Sequence, residues 1–199
     1  MGAIQQVPAG RPQGISVRHT VSGSPRRAKA EAFIAKAFRN HYGAELRGFA
    51  PNLMLLERGG RILAAAGWRC AKDERLFLES YLDEPIETAV SKVAGQSVRR
   101  ERIVEVGHLA VDHRGASIHV VRNLAAHLHR LGYEWVTFTA TAELIGIFRR
   151  LALPPLALAA ADPCRLGEHA GDWGSYYDRQ PVVVAGRIRL ALERLKRRD

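Results

Sequence analysis

A mixed α/β fold, one central sheet of about seven strands with helices on both faces, is what these 199 residues predict. Three observations carry that reading. Apolar residues switch repeatedly between a period of two and a period near 3.6. A glycine pair, Gly59-Gly60, separates two apolar runs and marks a tight hairpin. After that hairpin the chain runs through two β-α units, giving the order β-α-β-β-α-β-α-β-α-β-β. A uniform β-α alternation would instead have argued for a doubly wound parallel sheet.

In chain order, residues 15–21 alternate apolar with polar, as a strand does. Ser24-Pro25 offers an N-cap with proline in the first turn, before Ala30, Phe33, Ile34, Ala37, Phe38 and Tyr42 at helical spacing, and Gly43 closes that helix. Residues 53–58 and 61–71 form the hairpin. Asp83 is placed to cap a second helix with Ile86, Ala89, Val90 and Val93 on one face. Residues 103–111 read as a central strand, followed by a helix striped with Val120, Val121, Leu124, Ala125, Leu128 and Leu131 and ended by Gly132. A strand (135–140), a short helix (142–151), an apolar strand (156–161), a polar loop and a last strand from Pro181 complete the order. The division expected is a flexible lead over 1–14, one domain over 15–190 and a basic tail over 191–199.

Composition narrows the function classes. Apolar residues at 47% and charged residues at 25% are ordinary globular usage, which excludes disorder over most of the chain. The opening residues lack the apolar core of a secretory signal, and the longest apolar stretch, 151–161, is broken by Pro154-Pro155 and too short to span a bilayer. Cys70 and Cys164 lack metal-ligand spacing and read as free thiols of a reducing cytoplasm. The formal charge of +10 attracts an acidic partner: nucleic acid, anionic lipid, a phosphorylated cofactor or an acidic carrier protein. Part of it is local, since residues 187–199 hold six basic side chains against two acidic ones. That segment reads either as a basic amphipathic helix for a membrane or partner, or as a solvated end.

Residues 105–131 are the most informative. A strand that turns through Arg114-Gly115 into a helix leaves the first amides unpaired, and with the helix dipole these form an anion site. Here the chain resembles the GNAT acetyltransferase superfamily, in which a strand ending L-A-V, a basic turn and R-G-x-G-x-G grip the pyrophosphate and pantetheine of coenzyme A. Leu109-Ala110-Val111 and Arg114-Gly115 fit, while Ser117 and His119 stand where the two later glycines belong. The resemblance implies donor contacts at Leu109, Ala110, Val111, Arg114, Gly115, Ala116 and Ser117. The missing glycines favour pantetheine on an acyl carrier protein, as acyl-homoserine-lactone synthases use, and Gly67-Trp68-Arg69 also resembles those enzymes.

More of the chain, roughly 25–186, resembles the thermostable haemolysin family. The matching stretches are Phe77-Leu78-Glu79, Tyr81-Leu82-Asp83, Pro85-Ile86-Glu87, Glu105-Val106-Gly107 with Leu109-Ala110, Phe138-Thr139-Ala140-Thr141, and Trp173-Gly174-Ser175-Tyr176-Tyr177. His108 departs from the pattern, where asparagine is expected. The family is grouped by fold with acyltransferases, so the resemblance implies a GNAT-like sheet.

Individual residues follow from this. Glu105, on the central strand, is the general-base candidate, against a reading as a buried carboxylate satisfied by Arg100 or Arg102. His108 has the opposite strand parity, so it joins Glu105 at one site only if a bulge intervenes; otherwise it is a structural histidine. Phe148 occupies the place of the superfamily's tyrosine acid, and Tyr176 or Tyr177 stands in for it, or else packs under the last strand. Glu79, Tyr81, Asp83 and Glu87 form an acidic cluster able to hold an ammonium, and Arg69, Glu79 and Trp173 are the expected acceptor contacts. His127 and His129 lie two apart on a helix and do not converge, so no metal is expected.

The expected function is transfer of an acyl group, a fatty one, from an acyl-carrier or coenzyme A thioester to a small amine, with no tightly bound cofactor. Nucleic acid is not the expected partner. The rivals are a membrane-active protein working through its basic C-terminal segment and a non-catalytic GNAT-like binding module.

Overall fold

A computed structural model of the chain describes residues 14–112 and 116–196. Its elements are β1 (Ser16–Val21), α1 (Arg27–Tyr42), β2 (Asn52–Arg58), β3 (Arg61–Cys70), α2 (Ile86–Ala94), β4 (Ile103–Val111), α3 (Ala116–Arg130), β5 (Trp135–Ala140), α4 (Ala142–Arg150), β6 (Leu156–Ala160), β7 (Val182–Arg187) and α5 (Ile188–Lys196). The seven strands form one sheet in the order β1-β2-β3-β4-β5-β7-β6. Only β4 and β5 pair in parallel; every other neighbouring pair is antiparallel. The hairpin forms at Gly59-Gly60, where φ values of 58° and 79° suit the primed turn that a two-residue loop needs.

Strand alternation sorts the core onto two faces. Leu53, Leu55, Ala65 and Ala110 meet Ala30, Ile34 and Phe38 of α1. On the same face Ile103, Trp135 and Val183 pack with Ile86 and Val90 of α2. Met54, Leu56, Ala64, Ala66 and Val104 point the other way, onto Val120, Leu124 and Leu128 of α3 and Ile188 of α5. Side chains of α3, α4 and α5 then close a satellite cluster with the buried Leu151, Leu153 and Leu195.

Local expectations were corrected at three places. Helix α1 starts at Arg27, not at Ser24, because Ser24 closes a turn: its carbonyl accepts the Arg27 N–H at 2.9 Å and its Oγ the Val21 N–H at 3.3 Å. Asp83 does not cap α2; it pairs with Arg165, and the carboxylate of Glu79 accepts the Ile86 N–H at 2.9 Å instead. Residues 191–196 are not a free tail, since α5 runs to Lys196 and buries Ile188 and Leu195. The apolar stripe of the basic segment thus faces the protein itself. Residues 1–13 and 197–199 lie outside the described residues. No helix among the described residues is long and apolar enough to cross a membrane.

The polar segment 163–179 folds as 3-10 turns, kinked at Gly167 and Gly174. Gly174 has φ 53°, and a Cβ there would stand 2.1 Å from the carbonyl oxygen of Tyr42. Only glycine fits where this segment crosses the end of α1, and the crossing sets Trp173 and Tyr176 beside the sheet.

Candidate functional site

Strands β4 and β5 pair only through Ile103–Trp135, Val104–Val136 and Glu105–Thr137. Beyond Glu105 both strands continue without pairing to one another, β4 to Val111 and β5 to Ala140. The gap between them opens as a wedge, and a cavity of about 1560 Å³ includes it. Glu105 sits at the apex, where the pairing stops.

A bulge shapes one wall of the wedge. Gly107 faces Gly67 and Ala110 faces Ala65, so Ala66 lies opposite both His108 and Leu109. His108 takes up the extra residue with φ 53°, in the left-handed region where asparagine and histidine are enriched. That shared tolerance gives a physical reason for histidine to replace the asparagine of the pattern. The bulge reverses side-chain parity and turns His108 to the face that carries Glu105, so both line the cavity. His108 Nδ1 is buried, with no hydrogen-bond partner among the described residues, and it would lie 3.2 Å from a Cβ added at Gly67. Burial, helped by the charge of Arg69, lowers its pKa to about 4, so the ring is neutral at physiological pH. The His108→Asn variant should retain the bulge and melt within about 2 °C of the wild type, whereas His108→Val should lose roughly 4 °C or more, because a β-branched side chain is strained at this φ. Equal losses in thermal melts of the two would refute a conformational role.

Glu105 Oε2 accepts the Phe77 N–H at 2.8 Å and Oε1 the Leu78 N–H at 3.2 Å. Arg69 Nε stands 3.5 Å from Oε2 and its Nη1 3.3 Å from Glu74. Burial outweighs these partners and raises the carboxyl to about 7. A carboxylate poised at neutral pH is what a general base requires. Neither Arg100 nor Arg102 pairs with it. Tyr176 hangs on the other wall: its OH donates to the Thr139 carbonyl at 3.4 Å, and Thr139 lies two residues, about 6.6 Å, beyond the last β5 position that pairs with β4. Burial pushes its phenol up, so it stays protonated.

The structure therefore brings Glu105, Tyr176, Arg69, Trp173, Leu109, Ala110 and Val111 around one cavity. It does not bring Glu79 there. That carboxylate accepts the Leu76 and Ile86 N–H groups and two bonds from Arg100 at 2.7 and 2.9 Å. Burial works against them, yet these hydrogen bonds hold its pKa down to about 2. Glu79 is a structural anion, saturated by its own turn, the start of α2 and Arg100. Arg114 and Gly115 lie outside the described residues; Ala116 and Ser117 begin α3, and their side chains are likewise outside the description. Sequence reasoning missed the two amides that hold Glu105, which belong to a 3-10 turn over Phe77–Tyr81. It also set His108 aside, although the Gly107-His108 pair was a signal for a bulge.

The fold is found in solved structures. The AHL synthase LasI is similar at 12% identity over 90% of this chain and 95% of that one, with a TM-score of 0.62. FeeM, an N-acyl amino acid synthase from uncultured soil microbes, is similar at 13% identity over 89% and 93%, with a TM-score of 0.59. The catalytic domain of a Tetrahymena histone acetyltransferase, in complex with coenzyme A, is similar at 13% identity over 87% and 93%, with a TM-score of 0.50. This is a GNAT-like fold. No curated protein matches the sequence. The thermostable hemolysin model matches residues 20–192, nearly the whole described chain, and the protein belongs to that family.

Proposed function

We propose that the protein transfers an acyl group from a thioester to an amine. The observation that carries this is the unpaired wedge between β4 and β5, with a carboxyl raised to about 7 at its apex. Where two strands part in this way, an extended pantetheine arm can enter as if it were another strand. Beyond it the cavity continues between the sheet and α3–α4, lined by Val120, Leu124, Val136, Phe138, Ile147 and Phe148. Such a wall suits an acyl chain. The names of the similar AHL synthase and N-acyl amino acid synthase agree with acyl transfer.

In this reading the amine reaches Glu105 as an ammonium and loses one proton to it. The nitrogen then attacks the thioester carbonyl, whose oxygen is held by amides of residues 109–111. That attack forms the C–N bond, and collapse of the tetrahedral intermediate restores the C=O bond and breaks the C–S bond. Tyr176, a protonated phenol on the opposite wall, supplies a proton to the leaving thiolate, and the second nitrogen proton leaves to solvent. The products are an amide and a free thiol.

The donor we propose is an acyl carrier protein thioester, because Ser117 and His119 replace the glycines that let a diphosphate approach the backbone. The +10 charge would steer an acidic carrier. The test offers one acyl chain on both donors with an amine. Amine-dependent thiol release and an acyl amide by mass spectrometry are expected, with higher kcat/KM for the carrier and a margin that narrows with salt. Absence of amide with every amine would overturn acyl transfer. Equal use of the coenzyme A thioester would overturn only the donor.

A further inference from the structure

The cavity has a second half, on the α1 and α2 face of the sheet, and its wall is aromatic. Ring contacts run without a break from Phe49 to His108 (5.5 Å), His108 to Phe38 (6.2 Å) and Phe38 to Trp173 (6.3 Å). They continue from Trp173 to Phe77 (5.4 Å) and to Tyr176 (5.6 Å), and from Tyr176 to Tyr42 (5.2 Å). Four separate stretches supply these rings: α1 with the segment after it, the turn over 77–81, β4 through His108, and the kinked segment 163–179. All seven rings line the cavity. Phe77 also gives its amide to Glu105, which places the carboxyl at the edge of the aromatic wall.

The arginines of this chamber are already matched. Among the described residues that line the cavity, Arg47 pairs with Asp172 at 2.8 Å, Arg61 with Asp112 at 2.5 Å, Arg69 with Glu74 and Glu105, and Arg165 with Asp83. Lys29 and Lys36, on α1, also line the cavity and are exposed to solvent. His108 carries no charge near neutral pH. Among the described residues, the inner chamber therefore offers aromatic faces and carboxylate oxygen, and no unmatched guanidinium. Aromatic faces attract an ammonium and cover an apolar body. A carboxylate attached beside that ammonium would be buried next to Glu105 without a partner, which costs several-fold to many-fold in affinity.

From this chamber we infer that the acceptor is a primary amine on an aromatic or bulky apolar body, with no carboxylate beside the amine. The inference rests on the acyl-transfer reading and names the second substrate of the same site. The reacting nitrogen would lie between Glu105 and the wedge, with the body of the amine against Trp173 and Phe38.

Three acceptors of one shape separate the outcomes: 2-phenylethylamine, phenylalanine and phenylalanine methyl ester, each with the same acyl thioester. The expected result is kcat/KM at least roughly tenfold higher for 2-phenylethylamine and for the ester than for phenylalanine. Phenylalanine used equally well or better would overturn the inference. Calorimetric titration of 2-phenylethylamine into the protein without any donor makes the test independent of turnover. Binding is expected there, weakened at least roughly fivefold by Trp173→Leu in a variant that keeps its circular dichroism. If no amide forms with any amine but this binding pattern holds, acyl transfer falls and the assignment of the amine stands. If 2-phenylethylamine fails to bind, or phenylalanine binds as tightly, the assignment falls.

Discussion

Glu105→Gln is expected to lower turnover about 10²–10⁴-fold, the size of a lost proton-transfer group, with circular dichroism close to that of the wild type. The physical reason is the site's own balance. Burial lifts the carboxyl to about 7 against Arg69 and the two amides, so the base form grows as pH rises through that value. Wild-type kcat/KM should therefore climb through a midpoint near pH 7, and the variant should lack this limb. The sign for stability is opposite. A carboxyl whose folded pKa is raised binds protons better in the native state, so its contribution is fully present below about pH 4.5 and is lost as pH rises toward 7. Catalysis and stability thus pull in different directions at one residue. Activity within a few-fold of wild type, or an unchanged pH limb in the variant, would end the assignment of Glu105 as the base.

The largest expected effect on stability lies one turn away. Arg100→Met should destabilise the fold by about 3 kcal/mol at pH 7, because it leaves the buried carboxylate of Glu79 without its cation. At 199 residues that is roughly 6–12 °C in Tm. Arg100 also donates to Glu87 at 2.8 Å and to the Ala71 carbonyl at 2.7 Å, so the loss spans three segments. The pH dependence gives a control. Glu79, held down to about 2, contributes stability above about pH 4.5 that disappears as pH falls toward 2. Denaturant unfolding should accordingly show a large gap between wild type and variant at pH 7 and a small one near pH 2–3. A gap below about 1 kcal/mol at pH 7, or an equal gap at both, would refute the ion-pair account.

Much of this architecture was legible because period-two runs and glycine pairs act locally. The strand of residues 103–111 and the hairpin at Gly59-Gly60 needed no tertiary information. Glu105 was legible for the same reason, as a lone carboxylate within an apolar strand. The bulge was harder: strict alternation sets His108 and Glu105 on opposite faces, and only the register shift between Ala65 and Gly67 against β4 shows otherwise. Glu79 misled, since a carboxylate in an acidic cluster says nothing about whether Arg100 will fold over it. The C-terminal segment misled in a similar way. A basic amphipathic stripe has the same spacing whether it covers a membrane or α3, and the buried Leu195 decides for α3. Where the wedge opens was not legible either, because it depends on where two distant strands stop pairing.

The sheet order has a consequence for how the chain folds. Strand β6 pairs only with β7, and β7 also supplies the second neighbour of β5. During synthesis β6 therefore emerges without a partner, and one side of β5 waits with it, until residues 182–187 arrive and slide between them. The last strand of the sheet enters its interior rather than its edge, a non-local closure of the kind that slows folding. Until that insertion, Val183 and Ala185 are absent from the core beneath α2, and two unpaired strand edges stand open to association with other chains. Insertion of β7 is then the step that separates an aggregation-prone intermediate from the finished domain.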